Sequence, residues 1–310
     1  MKKSILVLAS FLCSFAAFAQ KRSVSITIDD VPNVRLFQED GYSSKLLSKL
    51  DSLKIPVAIF VNEHNLRQTK PFDKNKNLLK TWLSKDFVTP GNHSYSHPNY
   101  GEIGFEAFSG DVLKGETLTK EILKGSGKKL DYFRFPFNAM GKDSVAHLKM
   151  QEFLVSKNYK NTPFTVESED WLFTQLYEKA LKSGDKKRAM EIGNQYVKLS
   201  LDRFAHFDSV SVVNFQRPVK QIYLCHDNRL NTDFLPVLVQ KLKEQGYQMI
   251  SLADAMQDPA YQSREYYHGN AGFSWLYRWM SDLNERKGLM LAEPENVEIH
   301  KAYEEMQKAK

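Results

Sequence analysis

Residues 23–30 read SVSITIDD, an apolar run that ends in two adjacent carboxylates, Asp29 and Asp30. Two acidic residues after a strand often form only a turn or a helix N-cap. Here Val31 and Pro32 follow, so no simple helix start is offered. The stretch therefore indicates a buried strand that delivers two carboxylates at its carboxyl end.

Short apolar runs of this kind recur along the chain, separated by segments with helical spacing. This alternation predicts an α/β protein with parallel strands and right-handed crossovers. Seven strands favour a distorted (β/α)7-type barrel over a complete eight-unit barrel. The strands are expected at residues 23–28, 56–61, 87–89, 132–135, 161–166, 221–225 and 247–251.

Two segments are longer than the crossovers require. Residues 172–207 predict two helices broken at 183–185, inserted between the fifth and sixth strands. After residue 258 the chain becomes aromatic and irregular, then ends in a charged helical tail. Because no clean linker is present, one domain is expected over residues 20–258, with residues 259–310 as a C-terminal aromatic and helical extension packed on it.

The N-terminus has the layout of a secretory signal peptide. Lys2 and Lys3 precede an apolar run, and residues 17–19 (AFA) supply the small residues of a cleavage site. The alternative is a membrane anchor, but the run is short for a bilayer. We expect residues 1–19 to be removed from an exported protein, periplasmic or secreted, that keeps no transmembrane segment. Only Cys225 would then remain, which excludes an intramolecular disulfide.

The charge pattern argues against a nucleic-acid partner. The net charge is +6 at pH 7 and would fall to +4 on removal of Lys2 and Lys3. Basic residues are spread along the chain and form only short runs such as 186–188 (KKR). No basic face of the kind that tracks a phosphate backbone is indicated.

Ionisable residues follow five of the predicted strands. In α/β barrels the loops after the strands converge on one mouth, where the chemistry gathers. Any one of these positions can arise by chance, but together they indicate a site. They are Asp29 and Asp30, His93 and His97, Arg134, Asp170, and His226.

The stretch 93–97 reads HSYSH, with two imidazoles four residues apart. On a turn or tight loop both rings can face one way, and a carboxylate from elsewhere completes three ligands. Two histidines, one carboxylate and a position for water are typical of a catalytic zinc. The alternative is a pair of ordinary surface histidines. The Asp29–Asp30 pair across the mouth favours the metal, because one carboxylate can bind the cation while the other accepts a proton.

These motifs, in this order, resemble those of the NodB-type polysaccharide deacetylases, the fourth family of carbohydrate esterases. The resemblance covers roughly residues 22 to 255 and implies a distorted barrel and one divalent metal ion, with zinc expected. The matching stretches are 27–30 (TIDD), 93–97 (HSYSH), 134–137 (RFPF), 170–171 (DW) and 224–226 (LCH).

The resemblance also implies roles for individual residues. Asp29 would be the general base and His226 the general acid, although a lone histidine after a strand is more often structural. The remaining roles would be metal binding by Asp30, His93 and His97; positioning of base and acid by Arg134 and Asp170; oxyanion binding by the N–H of Phe137; and walls of the acetyl pocket from Trp171 and Leu224.

Three positions depart from the family pattern. Val31 replaces a common glycine, Phe137 replaces a common tyrosine, and Glu167 stands where a second aspartate is common. The first departure suggests a narrowed or redirected loop, and the second removes a hydroxyl that can touch sugar. None removes a proposed ligand or the acid, so substrate preference is affected more than activity.

The sequence therefore predicts an amide hydrolase of the non-peptide class that removes acetyl groups from N-acetylated, or O-acetylated, sugars. A water on the metal would be the nucleophile, and the partner would be an acetylated glycan such as peptidoglycan or a chitin-like polymer. Two alternatives stay open. One is a small-molecule amidase or deformylase of the same superfamily with a closed pocket, and the other is a non-catalytic carbohydrate-binding relative.

The C-terminal aromatic segment permits two interpretations. Trp275, Trp279 and Leu283, at helical spacing, predict an apolar stripe that packs on the barrel. Tyr266, Tyr267 and His268, before a glycine turn, suggest instead an aromatic contact with sugar beside the metal.

Overall fold

The computed structural model describes residues 22–308. The predicted signal peptide, residues 1–19, lies outside the described residues and stays a prediction. Seven parallel strands form one hydrogen-bonded path in the order β5-β4-β3-β2-β1-β7-β6, and an eighth pairs with the start of β1. The strands are β1 Ser23–Val31, β2 Val57–Val61, β3 Val88–Asn92, β4 Tyr132–Phe133, β5 Lys160–Asn161, β6 Val166–Glu167, β7 Gln221–His226 and β8 Gln248–Met249.

The sheet curls into an open barrel. Strands β5 and β6 stand at opposite ends of the path, yet only residues 162–165 join them. Four linking residues reach at most about 17 Å, so the two sheet edges must curve towards each other. The structure therefore confirms the expected α/β barrel with fewer than eight units, and its seam lies between β5 and β6.

The single fifth strand expected at residues 161–166 is wrong, because the chain forms β5 and β6 there instead. Pro163 lies in the middle of this stretch and has no N–H for a ladder. The amide of Thr162 donates to Phe133 on the β4 side, while that of Thr165 donates to Ile222 on β7. The segment thus changes neighbours halfway, and the helical insertion follows the sixth strand rather than the fifth.

The central strands explain the apolar runs of the sequence. Strand β1 lies between β2 and β7, and every one of its residues except Asp30 is buried. All of β2 is buried as well. A parallel sheet that is covered on both faces favours continuous apolar runs, and β2 (VAIFV) is one. Strand β1 instead alternates Ser and Thr with Val and Ile, and its buried Thr27 hydroxyl donates to the carbonyl of Tyr223 at 2.7 Å.

Helices cover the outside of the barrel. The inserted helices are α8 (Asp170–Lys182) and α9 (Lys186–Phe215). The second helix extends beyond the expected end near residue 207. Asp185 begins it by accepting a hydrogen bond from the N–H of Arg188.

Among residues 22–308, no helix has the length and apolar character to cross a membrane. The helices are α1 Val34–Glu39, α2 Lys45–Leu53, α3 Phe72–Leu83, α4 Tyr100–Ile103, α5 Phe105–Lys114, α6 Thr117–Leu123, α7 Ser144–Ser156, α8 Asp170–Lys182, α9 Lys186–Phe215, α10 Arg229–Glu244, α11 Leu252–Ala255, α12 Trp275–Arg278, α13 Leu283–Leu291 and α14 Val297–Lys308.

The predicted apolar stripe of the C-terminal segment forms only in part. Trp275 and Trp279 are buried, but Leu283 is 61% exposed. The helical spacing does not continue, because α12 ends at Arg278 and α13 starts anew, with Asp282 accepting from two of its amides. Leu283 therefore begins a separate helix and leaves the stripe.

Candidate active site

The strand ends bring the predicted site residues to one open cleft of about 850 Å³. Strand β1 supplies two carboxylates, the loop after β3 supplies two histidines, and β7 supplies one. Arg134 and Asp170 have no exposed surface and lie behind the cleft wall. The predicted residues that line the cleft are Asp29, Asp30, His93, His97, Phe137, Trp171, Leu224 and His226.

Asp30, His93 and His97 form a potential metal site. One ligand atom from each lies within 4.8 Å of the others. The Asp30 Oδ1 atom is 3.6 Å from His97 Nε2 and 3.9 Å from His93 Nε2. A tetrahedral site with bonds of about 2.0–2.2 Å spaces its ligand atoms roughly 3.3–3.6 Å apart. Both separations that involve Asp30 are therefore close to those of a site that holds one zinc-sized ion.

The surroundings of His93 favour its role as a ligand. Its Nδ1 is 2.8 Å from the carbonyl oxygen of Arg134, a contact that requires a proton on Nδ1. The lone pair is then on Nε2, the atom that faces Asp30 and His97. Burial, with the charge of His97, lowers the pKa of His93 to about 3. The ring is thus neutral near pH 7, the form in which histidine binds metals.

Asp29 is held from behind by Arg134. Its Oδ1 accepts a 2.8 Å hydrogen bond from Nη1 of the arginine, which also donates to Thr27 Oγ1 at 2.7 Å. The other oxygen, Oδ2, lies 3.6 Å from His93 Nε2. One carboxylate oxygen is therefore fixed by a buried ion pair, while the second faces the candidate metal site.

His226, the register partner of Asp29 on the adjacent strand β7, has a matching arrangement. Its Nδ1 donates to Asp170 Oδ1 at 2.7 Å, and its backbone N–H donates to Asp170 Oδ2 at 2.8 Å. Burial alone lowers the pKa of His226, but the charge and hydrogen bond of Asp170 outweigh it and raise the pKa to about 10. The imidazole is therefore protonated at neutral pH, with Nε2–H available to the cleft.

The cleft walls carry exposed aromatic groups. Phe137 is 57% exposed, and its ring meets His97 edge-on at 4.6 Å between centroids. Trp171 is 45% exposed and packs against Tyr303 of α14 at 5.7 Å. Leu224 is buried in the floor. The three predicted wall residues thus line the same cleft as the candidate metal site, and Phe137 contacts one of its histidines.

Two departures from the family pattern have clear positions. Val31 is buried, continues β1 by pairing with Val61, and is not part of the cleft lining, so it does not narrow the cleft directly. Glu167 does line the cleft. Burial raises the pKa of Glu167 to about 7, although Arg203 lies 3.5 Å away and lowers it.

The aromatic residues before the glycine turn do not reach the cleft. Tyr266, Tyr267 and His268 do not line it, so the suggested sugar contact beside the metal gains no support from the structure. The Tyr267 ring packs on Phe273, and its hydroxyl accepts from the N–H of Ala271. Gly272 takes a place in the lining instead. Tyr267 therefore supports the turn, Tyr266 and His268 are exposed, and the turn meets the cleft through Gly272.

The sequence interpretation missed two asparagines that support Asp170. Asn228 and Asn231 are buried and both donate side-chain hydrogen bonds to Asp170 Oδ2. A signal was present, because two asparagines three residues apart follow His226 and Asp227 directly. These amides keep the buried carboxylate of Asp170 ionised, which in turn keeps His226 charged.

Comparisons with known proteins point to one family. A family model described as polysaccharide deacetylase matches residues 18–155. A peptidoglycan-N-acetylglucosamine deacetylase of Bacillus cereus is 22% identical over 158 residues, covering 51% of this chain and 50% of the relative. The chain thus matches only half the length of that relative. A putative polysaccharide deacetylase of Bacillus subtilis, YheN, is 21% identical over 76% of this chain and 68% of its own.

Solved structures share the fold. The Bc1960 peptidoglycan N-acetylglucosamine deacetylase, in complex with an N-oxidanyl-benzamide, superposes with a TM-score of 0.50 at 18% identity, covering 76% of this chain and 88% of that structure. A mutant of BA3943, a CE4 family pseudoenzyme, gives a TM-score of 0.51 at 18% identity, covering 77% and 68%. Since a pseudoenzyme has this fold, the fold alone does not establish activity. The family match ends at residue 155, so a domain extending to 258 stays a prediction.

Proposed function

We propose that this chain, whose residues 18–155 match the polysaccharide deacetylase family model, hydrolyses acetyl groups from N-acetylated sugars of a glycan. One observation carries the proposal. The potential metal site of Asp30, His93 and His97 lies in the same cleft as an aspartate and a histidine whose buried partners suit them to base and acid roles.

Asp30, His93 and His97 would hold the metal, and zinc fits a set of two imidazoles and one carboxylate. A divalent cation held by these residues would supply the chemistry of lowering the pKa of a water and polarising the acetyl carbonyl. The residues themselves favour a cation, because His93 is neutral and presents Nε2, and Asp30 is 40% exposed with its carboxylate towards both rings.

Asp29 would accept the proton of the attacking water. Its Oδ1 is occupied by Arg134, which leaves Oδ2 as the acceptor on the cleft side. A carboxylate fixed in this way loses little freedom when the substrate binds, and positioned bases of this kind contribute roughly 10²–10⁴-fold to rate.

His226 would donate a proton to the departing amine. An amine leaves poorly as an anion, so amide cleavage requires this proton at nitrogen. The hydrogen bond to Asp170 fixes the ring through Nδ1 and directs Nε2–H to the substrate. The pair also keeps the ring protonated at neutral pH, where a free histidine is largely neutral.

The N–H of Phe137 would support the oxyanion of the tetrahedral intermediate, and such a donor is typically worth about 3–4 kcal/mol in the transition state. Trp171 and Leu224 would enclose the acetyl methyl group. The exposed faces of Phe137 and Trp171 suit the apolar C–H surface of a sugar ring, because aromatic rings bury such surface without losing hydrogen bonds.

A polymeric substrate is favoured over a small amide. The aromatic C-terminal segment does not close over the cleft. Side chains that line the cleft remain exposed, with 40% exposure for Asp30, 45% for Trp171 and 57% for Phe137. This arrangement suits a peptidoglycan or chitin-like chain and argues against the closed pocket of the amidase alternative. The predicted export signal would place the protein where such polymers occur.

Acetate release tests the proposal. Purified protein is incubated with N-acetylglucosamine oligomers, peptidoglycan and acetylated xylan, before and after removal of metal by a chelator. We expect release from an N-acetylated substrate that stops with the chelator and returns with Zn²⁺. Binding of the oligomers without any release would instead support the non-catalytic alternative, and release only from small amides would support the amidase.

A further inference from the structure

Arg278 is a buried arginine of the C-terminal segment that contacts the loop carrying Phe137. It has no exposed surface, and its Nη2 donates a 3.0 Å hydrogen bond to the carbonyl of Asn138, the residue after Phe137. The same guanidinium donates to the carbonyls of Ala271 and Phe273 and to Glu265 at 2.9 Å. One planar group thus ties the turn of the C-terminal segment to the Phe137 loop.

The loop requires such support because of its backbone conformation. Phe137 has φ 57° and Asn138 has φ 50°, so two consecutive residues with a Cβ are in the left-handed region. This region is unfavourable for residues other than glycine and persists only when neighbouring groups hold it. The φ angle of Phe137 sets the direction of its N–H relative to the rest of the loop, so this direction depends on the groups that hold the loop in place.

The turn beside Arg278 packs directly on this loop. A Cβ on Gly272 would lie 1.9 Å from the carbonyl oxygen of Phe137, so only glycine allows the approach. The segment also holds the barrel seam, because Trp275 N–H donates to Phe164 O at 3.1 Å and Ser274 Oγ donates to Thr165 O at 2.7 Å. Phe164 is itself a cleft residue. Two walls of the cleft are thus fastened to one short stretch.

We propose that Arg278 is a positioning residue for the oxyanion-binding loop, acting through the carbonyl of Asn138 to set the direction of the Phe137 N–H. The inference rests on the proposed function, in which that N–H binds the oxyanion. A donor of this kind acts on charge that develops in the transition state, so its misplacement lowers kcat more than it raises KM. The deacetylase chemistry of this chain would then depend on a segment that lies outside the matched family region.

The test compares Arg278→Met and Arg278→Lys with Arg217→Met. Arg217 pairs with Asp258 at the other end of the barrel, before the start of β7, and serves as the control for loss of an arginine ion pair. The amides of Asn138 and Ala139 donate to Phe135 and Pro136, so their hydrogen exchange reports on opening of the loop. For each variant we measure hydrogen exchange, melting temperature and bound metal, together with kcat and KM on an N-acetylglucosamine hexamer.

We expect Arg278→Met to speed exchange at Asn138 and Ala139 and to lower kcat about 10- to 100-fold, with KM changed by less than about 2-fold and bound metal unchanged. Arg217→Met should lower the melting temperature without faster exchange at Asn138 and Ala139 and without loss of kcat. Where the methionine variant does not fold, Arg278→Lys decides, because lysine keeps the charge beside Glu265 but lacks the planar fork that bridges two carbonyls.

Unchanged hydrogen exchange at the amides of Asn138 and Ala139 in a folded Arg278 variant would overturn the proposal. Faster exchange at these amides combined with wild-type kcat would overturn it as well. A wild-type protein that releases no acetate from any substrate contradicts the proposed function instead. The exchange measurement then still decides whether Arg278 holds the loop.

Discussion

Asp29 and His226 are register partners on the adjacent parallel strands β1 and β7. Neighbouring strands are about 4.8 Å apart, so the candidate base and acid stand side by side on one rim. Each has a buried partner of opposite charge behind it, Arg134 for the aspartate and Asp170 for the histidine. The two strands thus present a proton acceptor and a proton donor to the same bound group.

Metal binding should depend on His93 and His97. Purified protein is expected to hold about one divalent ion per chain, and His93→Ala or His97→Ala should lose most of it, because each removes one of three protein ligands. Metal content is measured by elemental analysis. His64→Ala is the control, since His64 lines the same cleft without belonging to the triad. Full occupancy in the double variant of His93 and His97 would contradict the metal assignment.

The acid and base should affect rate and not folding. Asp29→Asn and His226→Ala are each expected to lower kcat by about 10²–10⁴-fold, the usual contribution of positioned acid–base groups. Circular dichroism and metal content should remain close to those of the wild type. Asp185→Asn removes a carboxylate at the start of α9, where asparagine caps equally well, and should leave kcat unchanged. Near wild-type turnover in His226→Ala would mean that another residue is the acid.

The Asp170–His226 pair should make stability depend on pH. The pKa of His226 is raised to about 10 in the folded protein, above the ordinary value near 6.5. A raised pKa contributes stability that is complete below the unfolded value and is lost as the pH rises through the folded value. In metal-free protein, the urea midpoint should therefore fall between pH 7 and pH 10.

The Asp170→Asn variant is the matched test of that pH dependence. Without the aspartate charge, burial lowers the pKa of His226, and the fall in the urea midpoint over this range should shrink. The alkaline limb of kcat against pH should also move to lower pH, because the acid loses its proton earlier. An identical pH dependence in wild type and variant would show that Asp170 does not set the charge of His226.

The C-terminal segment should contribute to stability through its buried tryptophan. Trp275 is 4% exposed and meets Phe164 edge-on at 5.6 Å, so Trp275→Ala should cost about 3–5 kcal/mol of unfolding free energy. Tyr266 is 42% exposed and does not line the cleft. Tyr266→Ala should therefore change stability by less than about 0.5 kcal/mol and leave KM for an oligomer unchanged. A raised KM in Tyr266→Ala would restore the sugar-contact interpretation.

Much of the site was predictable because its residues are adjacent in sequence to strand ends. Asp29 and Asp30 follow an apolar strand directly, and His93 and His97 follow another, so local pattern was enough to place all four at one rim. The burial of β2 was likewise visible as an uninterrupted apolar run, VAIFV, whereas β1 alternates Ser and Thr with Val and Ile and its burial on both faces was not visible. In these cases the period and composition of a few neighbouring residues contain the needed information.

Long-range partners were not visible in that way. Arg134 and Asp29 are 105 residues apart, and Arg278 and Asn138 are 140 residues apart. The division of the predicted fifth strand also depends on which neighbour each amide meets, the β4 edge for Thr162 and β7 for Thr165. Such pairings depend on how the curled sheet closes and on where the C-terminal segment packs against its seam. The amino-acid order alone placed the candidate ligands, base and acid at the carboxyl ends of strands, because the start and end of a strand are visible in the local sequence. Closure of the barrel determined what stands behind them and holds them, because hydrogen bonds between distant residues exist only once the chain is folded.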